Sequence, residues 1–330
     1  SSAMAAHAAT PNSSMLQSDC VRADIQAGLG GAPTWIRLPK HMWPASWFRE
    51  DGTPLYTDPV VRLKKALYGH PHSGDYWADK LSAVLEEHGY ERDEAWPGVF
   101  VRNAGKDSMT MVIVYVDDLI FVGSTTELEK ILPLIRNKID MEEPTPLSKY
   151  LGVHHHIERN DEGTSMTIAM RDYFKSAAHV FEKECGVTLK PVPTPYAPEL
   201  KQSDMDALLA KPGKWSKNAA SYVMRLMYGA RMAHPGVMTA VCRLSRELSR
   251  WTADSDRKLQ RLMAYVASST DQALHGNLHF RDRDHLKLVA WPDADLCGDE
   301  MSSRSTSGFF LELVGLGGRS FPLSWGSKRQ

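Results

Sequence analysis

Two adjacent aspartates interrupt an apolar stretch in the middle of the chain. Asp117 and Asp118 lie between the apolar, largely β-branched segment 109–116 and the apolar segment 119–122, a pattern that predicts a β-hairpin with carboxylates at its tip. Aspartate is common in plain hairpin turns, but two adjacent carboxylates repel each other unless a cation binds. The tip is therefore a candidate for one half of a metal site.

Phosphoryl transfer to a hydroxyl by two metals needs a second carboxylate from another rigid element. Two divalent cations about 4 Å apart can activate the hydroxyl and stabilise the leaving group, and Mg²⁺ prefers carboxylate and phosphate oxygens. Asp19 is the candidate partner, since it ends a short apolar segment far upstream of Asp117. Only folding could bring the two together. Alternatively, Asp19 caps the glycine-rich turn that follows it.

The elements around these aspartates combine strands with helices. Alternating apolar residues predict strands, and apolar residues at helical spacing predict helices. Strands are predicted at 15–20, 35–38, 109–116, 119–122, 150–158, 165–170, 286–291, 308–314 and 321–325, and helices at 75–88, 127–139, 172–185, 222–233, 237–251 and 256–268. The pattern indicates an α+β protein, and four prolines between 191 and 198 mark its clearest boundary.

The composition is typical of a globular protein, and it argues against a membrane-spanning protein and against a fold held together by zinc or disulfides. The 330 residues are 42% apolar and 24% charged, with a net charge of −1, and no apolar run approaches the ~20 residues of a membrane helix. The four cysteines are far apart, which argues against a zinc site or a disulfide framework. Segment 1–14 is polar, lacks the features of a secretory signal, and is expected to be a disordered lead-in. We expect an intracellular protein, in the cytoplasm or nucleus.

One stretch of predicted helices carries an excess of positive charge. Between residues 221 and 261, eight basic residues accompany only three acidic ones. The basic residues are Arg225, Arg231, Arg243, Arg246, Arg250, Arg257, Lys258 and Arg261. Such a face could contact nucleic-acid phosphates, or it could be an ordinary solvated surface.

Several motifs, taken in order, resemble those of one family, the reverse transcriptases of copia-type long-terminal-repeat retrotransposons. Segment 115–120 is similar to the family's Tyr-Val-Asp-Asp box, and Asp19 with Ala23 four residues later is similar to its first carboxylate motif. The other matching segments are 67–69 with Trp77, 150–153, 190–195, 226–228 with Arg231 and Pro235, 293–295, 304–309 and 324–328. The resemblance covers nearly all of 15–330.

The resemblance implies RNA-directed DNA synthesis by two-metal nucleotidyl transfer. Asp19 and Asp117 would hold two Mg²⁺ ions, which Mn²⁺ could replace, with Asp118 beside them. The substrates would be an RNA or DNA template–primer and deoxynucleoside triphosphates, and no membrane is implied. The nucleotide site would comprise Cys20, Val21, Arg22, Ala23, Asp24, Tyr68 and Gly69. Asp293 would be the first metal ligand of a ribonuclease H-like site.

The resemblance also divides the chain. After the lead-in at 1–14, it implies a polymerase palm with its hairpin at 15–189. A proline-rich boundary with linker and thumb-like or connection helices follows at 190–285, and the first strands of an incomplete ribonuclease H-like domain at 286–330. The palm would be truncated, because most of the family's fingers lie upstream of its first aspartate and only 18 residues precede Asp19 here.

Two departures from the family pattern bear on activity. The family usually has an aromatic residue five positions after its first aspartate, where it packs under the sugar and excludes a 2′-hydroxyl. Asp24 stands at that position here, so we expect weaker ribose discrimination and weaker nucleotide binding. The family's Leu-Lys-Gln after Tyr-Gly is replaced by a segment that contains His70 and His72. Either histidine could contact a base or phosphate, or both could be exposed turn residues.

Three other interpretations stay open. The chain could be a non-catalytic remnant that binds nucleic acid through 221–261, or a metal-dependent nuclease that uses Asp293 and Asp295. His154 and His156 share a face of a predicted strand and could hold zinc, but a site needs further ligands. A half-exposed hairpin strand is the preferred interpretation of these histidines.

Overall fold

A computed structural model of the chain describes residue 7 and residues 9–296 and 304–330. The chain divides into two compact units. The first unit contains residues 12–146, and the second contains residues 147–330 together with the N-terminal residues up to Pro11. Cys297 lies outside the described residues.

The first unit is built on a six-stranded antiparallel sheet with the strand order β4-β5-β6-β7-β1-β8. A separate two-stranded ribbon pairs β2 with β3. The strands are β1 Ser13–Asp19, β2 Trp35–Arg37, β3 Val60–Arg62, β4 Glu91–Arg92, β5 Val99–Arg102, β6 Thr110–Tyr115, β7 Asp118–Ser124 and β8 Thr145–Pro146, and the helices are α1 Ala23–Gln26, α2 Ser73–Glu87 and α3 Thr125–Arg136.

The core of the first unit forms where α2 and α3 cover the sheet. Trp77, Leu81 and Leu85 recur at helical spacing on α2 and are fully buried, as their periodicity predicts. Leu119 and Phe121 of β7 belong to the same cluster. The ladders that β7 forms with β1 and β6 set its register and therefore the position of its first residue.

The second unit combines two antiparallel sheets with helices. One sheet has the order β12-β11-β10-β9 and the other the order β13-β14-β15. The strands are β9 Lys149–Tyr150, β10 Val153–Arg159, β11 Gly163–Ala169, β12 Leu274–His279, β13 Lys287–Asp295, β14 Thr306–Val314 and β15 Ser320–Arg329, and the helices are α4 Arg171–Cys185, α5 Gln202–Leu209, α6 Ala219–Met232, α7 Met238–Ser245 and α8 Ala253–Ser268. The expected mixture of helices and sheets is confirmed.

Two expectations about segments need correction. The disordered lead-in is wrong for the described part of 1–14, because His7 and Ala9 are buried and β1 begins at Ser13. The hairpin β10–β11, which the sequence analysis grouped with the palm segment 15–189, lies in the second unit, because β11 pairs along its length with β12. A hydrophobic pattern gives no information about such a non-local partner. The proposed domain names stay predictions.

In the described part of the chain, no helix combines the length and apolar character needed to cross a membrane.

Candidate metal and nucleotide site

The tip of the β6–β7 hairpin is a two-residue turn. Tyr115 pairs with Asp118 at the end of the ladder, so Val116 and Asp117 form the turn. Val116 has a φ of 59°, a conformation that costs a β-branched residue about 1–3 kcal/mol. The predicted hairpin is therefore confirmed, with Asp117 in its turn and Asp118 as the first residue of β7.

Asp19 reaches this turn because β1 pairs with β7. The last pair of that ladder joins Asp19 directly to Asp118, and cross-strand neighbours have Cβ atoms about 4.5–5.5 Å apart. The next residue, Cys20, donates its amide to the carbonyl of Asp117 at 2.8 Å. Folding thus brings together Asp19, Asp117 and Asp118, which we call the carboxylate site.

The carboxylates of this site disfavour one another's ionisation. Partial burial, followed by the charges of Asp117, Asp118 and Glu142, raises the pKa of Asp19. Partial burial and the charge of Asp117 likewise raise the pKa of Asp118. Among the residues that the structure describes, no lysine, arginine or histidine forms an ion pair with the three carboxylates. No described cationic side chain therefore compensates the negative charge of the site by an ion pair.

The donor set suits a cation that takes its remaining ligands from substrate and water. Within the described ranges, no group of three or more histidine, cysteine, aspartate or glutamate residues is arranged to hold a metal ion by itself. Mg²⁺ is usually bound through one or two carboxylates, with phosphates and water completing its shell. Asp19 and Asp117 fit that mode, since both supply hard oxygen donors and neither pairs with a cationic side chain in the described part of the chain.

Cys20 is buried beside the carboxylates. Its side chain is 2% exposed. Burial, together with the neighbouring aspartates, raises the pKa of its thiol to about 12. The thiol therefore stays protonated, and Cys20 is a packing residue of the core.

The segment after Cys20 is anchored by a side chain that no sequence motif indicates. The Gln26 amide nitrogen donates to the carbonyls of Val21 and Asp140, both at 2.8 Å, and its oxygen accepts from the Asp140 amide at 2.9 Å. Val21 also donates its amide to the Asp140 carbonyl at 2.9 Å. No local pattern links Gln26 to Asp140, because their contact depends on the folded sheet.

The remaining predicted residues of this segment lie around α1. Arg22 precedes the helix and has a φ of 51°. Ala23 is buried and Asp24 is half-buried in the first turn. Asp24 lies five residues after Asp19 along the chain, so this segment of the first unit carries a further carboxylate.

The Tyr-Gly motif lies in the turn before α2. Tyr68 is 90% exposed, and Gly69 has a φ of 91°, which favours glycine. His70 is within 3.3 Å of the Thr34 hydroxyl, and His72 is 3.2 Å from the carboxylate of Asp75. The exposed tyrosine has a free aromatic face, while the two histidines have neighbours of their own.

All eight basic residues of 221–261 are exposed or half-buried. Arg243, Arg257, Lys258 and Arg261 nevertheless bond to groups of the second unit. Arg257 and Lys258 lie 2.8 and 2.9 Å from the carboxylate of Asp254, while Arg261 donates to the Thr194 carbonyl at 3.0 Å. The other four basic residues are Arg225, Arg231, Arg246 and Arg250. Nucleic-acid binding by these residues stays a prediction.

Arg243, another basic residue that bonds within the second unit, bears on the nuclease interpretation. It forms an ion pair with Asp295 at 3.1 Å and lies over the ring of Tyr196 at 5.8 Å. Asp293 is exposed on β13, two residues before Asp295. Asp295 is therefore compensated by a guanidinium, unlike the aspartates of the carboxylate site.

The histidines of β10 have acidic neighbours. His154 is 3.3 Å from Asp172 and His156 is 3.0 Å from Glu158. Neither belongs to a group of three metal-binding side chains within the described part of the chain. The preferred interpretation, a hairpin strand, is confirmed by the pairing of β10 with β11.

Comparisons with known proteins point in one direction. Residues 44–195 match the protein family described as "Reverse transcriptase (RNA-dependent DNA polymerase)", a range that includes Asp117 and Asp118. The chain is 30% identical over 273 residues to the retrovirus-related Pol polyprotein from transposon RE1 of Arabidopsis thaliana. It is 25% identical over 275 residues to the corresponding polyprotein from transposon TNT 1-94 of Nicotiana tabacum.

The lengths of these relatives differ widely. The matches cover 82% of this chain but only 17% of the Arabidopsis polyprotein and 20% of the tobacco polyprotein. A putative transposon Ty5-1 protein of Saccharomyces cerevisiae is 24% identical over 276 residues, which are 82% of this chain and 82% of that protein. The chain thus spans a small part of the polyproteins and most of one shorter relative.

Proposed function

Since this chain belongs to the reverse transcriptases of copia-type retrotransposon Pol polyproteins, we propose that its first unit carries the nucleotidyl-transfer site of an RNA-directed DNA polymerase. The observation that supports this most strongly is the carboxylate site itself. Three aspartates from β1 and the β6–β7 hairpin lie together without a cationic partner among the described residues. Such an arrangement destabilises the free protein and favours the binding of divalent cations.

In the proposed reaction, the carboxylates of Asp19 and Asp117 hold two divalent cations, and Asp118 adds negative charge beside them. When bound, the cations lower the pKa of the primer 3′-hydroxyl and neutralise the charge that develops on the phosphates. The backbone around Cys20 and Ala23 lines the triphosphate site, held in place by Gln26. The substrates are a template–primer and deoxynucleoside triphosphates.

The carboxylate of Asp24 limits this activity. It adds negative charge close to the proposed triphosphate site and offers no flat face for packing against a sugar. We therefore expect a high KM for nucleotides and weak discrimination between deoxynucleotides and ribonucleotides. Replacing Asp24 with asparagine should lower the KM for deoxynucleoside triphosphates by removing the repulsion, while replacing it with phenylalanine should also increase the preference for deoxynucleotides.

Primer extension on an RNA template with Mg²⁺ or Mn²⁺ tests the proposal. Asp117→Asn should reduce incorporation by roughly a hundredfold or more, the size expected when one electrostatic partner of a transition state is lost. Asp161→Asn is the matched control, since Asp161 lies in the turn of the β10–β11 hairpin of the second unit. Incorporation that survives Asp117→Asn, or salt-sensitive nucleic-acid binding without incorporation by the unaltered chain, would contradict the proposal.

We propose no second function. Four of the eight basic residues of 221–261 form bonds inside the second unit, and Asp295 is paired with Arg243. These contacts weaken the cases for a purely nucleic-acid-binding remnant and for a nuclease based on Asp293 and Asp295.

A further inference from the structure

The turn that carries Asp117 has an unfavourable backbone. Val116, with a φ of 59°, is the only β-branched residue with a positive φ among the residues that the structure describes. Two-residue hairpin turns in which only the first central residue has a positive φ, as here, normally place glycine there. This turn therefore needs contacts from outside the hairpin to keep its conformation.

The side chains of the turn do not supply those contacts. Tyr115 and Val116 are each 57% exposed, so little packing holds them. The contacts come instead through two successive peptide carbonyls. The Asp117 carbonyl accepts from the amide of Cys20 at 2.8 Å, and the Val116 carbonyl accepts from the indole Nε1 of Trp77 at 2.7 Å.

These two bonds fix the peptide planes on both sides of Asp117. The bond from Cys20 ties the following peptide to the strand that carries Asp19. The bond from Trp77 ties the preceding peptide to α2. With both planes fixed, the Cα–Cβ direction of Asp117 is fixed relative to Asp19.

Trp77 is suited to this task because its own position is fixed. It is 1% exposed and packs in the core cluster that also contains Leu81 and Cys20. The indole has a single donor and no acceptor, and that donor is directed at the turn. Because the indole is buried, a water molecule could replace it as the donor to the Val116 carbonyl only if the core rearranged.

We propose that Trp77 is a positioning residue that holds Val116 in its strained conformation and so sets the geometry with which Asp117 and Asp19 bind divalent cations. This inference rests on the proposed function, because it assumes that the carboxylate site binds metal. It goes further in assigning the metal affinity of the site to a side chain of α2 that touches neither metal nor substrate.

The inference makes a specific prediction about rescue. Trp77→Phe removes the donor while retaining an aromatic ring, so the turn should relax and Mn²⁺ should bind roughly fivefold more weakly or worse, the effect of losing about one hydrogen bond. Val116→Gly should restore binding in that background, because glycine adopts a positive φ without strain. A purely structural defect in the core would not be repaired by a change in the exposed turn.

Mn²⁺ binding to the full chain, measured by electron paramagnetic resonance, tests this prediction alongside primer extension. Trp43→Phe is the matched control, since the Trp43 indole donates to the Leu38 carbonyl at 2.9 Å elsewhere in the first unit. Benzothienylalanine at position 77 has nearly the shape of tryptophan without the N–H, so it covers the case in which phenylalanine disturbs folding. Both position-77 variants should weaken binding, and the control should not.

The outcomes separate this inference from the proposed function. If the unaltered chain binds no Mn²⁺ at the carboxylate site, with Asp117→Asn as the reference, the proposed function fails and this inference with it. If the unaltered chain binds and the benzothienylalanine protein binds equally well, only the inference fails. Weakened binding by Trp77→Phe without recovery in Trp77→Phe/Val116→Gly would also overturn it.

Discussion

Aspartates in the two units of this protein have opposite surroundings. In the second unit, Asp254 is 1% exposed and lies within 2.9 Å of both Arg257 and Lys258. Burial alone would raise its pKa, but these two cations outweigh burial and lower it. In the first unit, Asp19 and Asp118 have raised pKa values and acidic neighbours.

This difference in neighbouring charge separates aspartates that form ion pairs within the fold from aspartates whose charge a bound ligand could compensate. Asp282 repeats the pattern of Asp254, since Arg319 donates two hydrogen bonds to it and lowers its pKa. The charge of a carboxylate that pairs with a guanidinium is already compensated. The charges of the carboxylate site lack such a pairing among the described residues, and this contrast supports a cation-binding role more strongly than the mere presence of three aspartates does.

The largest effect on stability is expected when the cations that compensate the charge of Asp254 are removed. Replacing both Arg257 and Lys258 with methionine leaves Asp254 buried without a cation, which should lower the unfolding free energy by about 3–5 kcal/mol. Urea denaturation measures the loss. Adding Asp254→Leu to the same protein should recover much of it. A loss below about 1 kcal/mol would show that Asp254 does not depend on its cations and would remove one side of the comparison.

An intermediate effect is expected from adding metal. Mg²⁺ or Mn²⁺ at ten times its dissociation constant should stabilise the unaltered chain by about 1.4 kcal/mol, because the cation compensates carboxylates that repel one another. Thermal unfolding with the metal and with a chelator measures this difference. Asp117→Asn should lose the response and Asp161→Asn should keep it. An equal response in both variants would place the metal elsewhere.

The smallest effect is expected from removing one repelling charge. Asp118→Asn should stabilise the metal-free protein at neutral pH by up to ~1 kcal/mol, since the site is partly exposed and solvent screens it. The folded-state pKa of Asp118 is raised. The contribution of Asp118 to the free energy of unfolding is therefore favourable at low pH and is lost as the pH rises through that pKa. The advantage of Asp118→Asn should therefore grow with pH above the ordinary aspartate pKa.

Asp254 gives the opposite pH dependence and serves as the control. Its folded-state pKa is lowered, so its contribution to stability is present above the ordinary aspartate pKa and is lost as the pH falls through the lowered value. Asp254→Asn should therefore become less harmful as the pH falls. Unfolding curves of Asp118→Asn and Asp254→Asn, recorded across the acidic range with a chelator present, measure both pH dependences. If the stability of the two variants relative to the unaltered chain changed with pH in the same direction, the contrast between the two aspartates would be contradicted.

The sequence predicts the local parts of the carboxylate site well. The apolar runs on either side of Asp117 and Asp118 are enough to predict the β6–β7 hairpin, because strand periodicity is a local property. Asp19 is a candidate because it ends a short apolar segment and matches the family's first carboxylate motif, and the pairing of β1 with β7 places it opposite Asp118. Arg257 and Lys258 pair with Asp254 at helical spacing, which a local pattern can indicate. The partners of Arg243 and Arg261 lie far away in the sequence and could not be predicted.

The supporting contacts of the site could not be predicted for the same reason. The indole of Trp77 is recognisable only as a core position of a helix, and nothing local connects it to Val116. Gln26 and Asp140 meet only after the sheet has formed. The strained φ of Val116 is equally invisible, because an apolar run predicts extended backbone at that residue.

The central claim is that Asp19 and Asp117 hold divalent cations together. Anomalous scattering from crystals of the full chain soaked in MnCl₂ tests it most directly. We predict at least one strong peak between the two carboxylates, with Asp118 beside it, and no peak there in crystals of Asp117→Asn. A site without Mn²⁺, or carboxylates more than about 8 Å apart, too far to share a metal pair with ~4 Å spacing, would contradict the account.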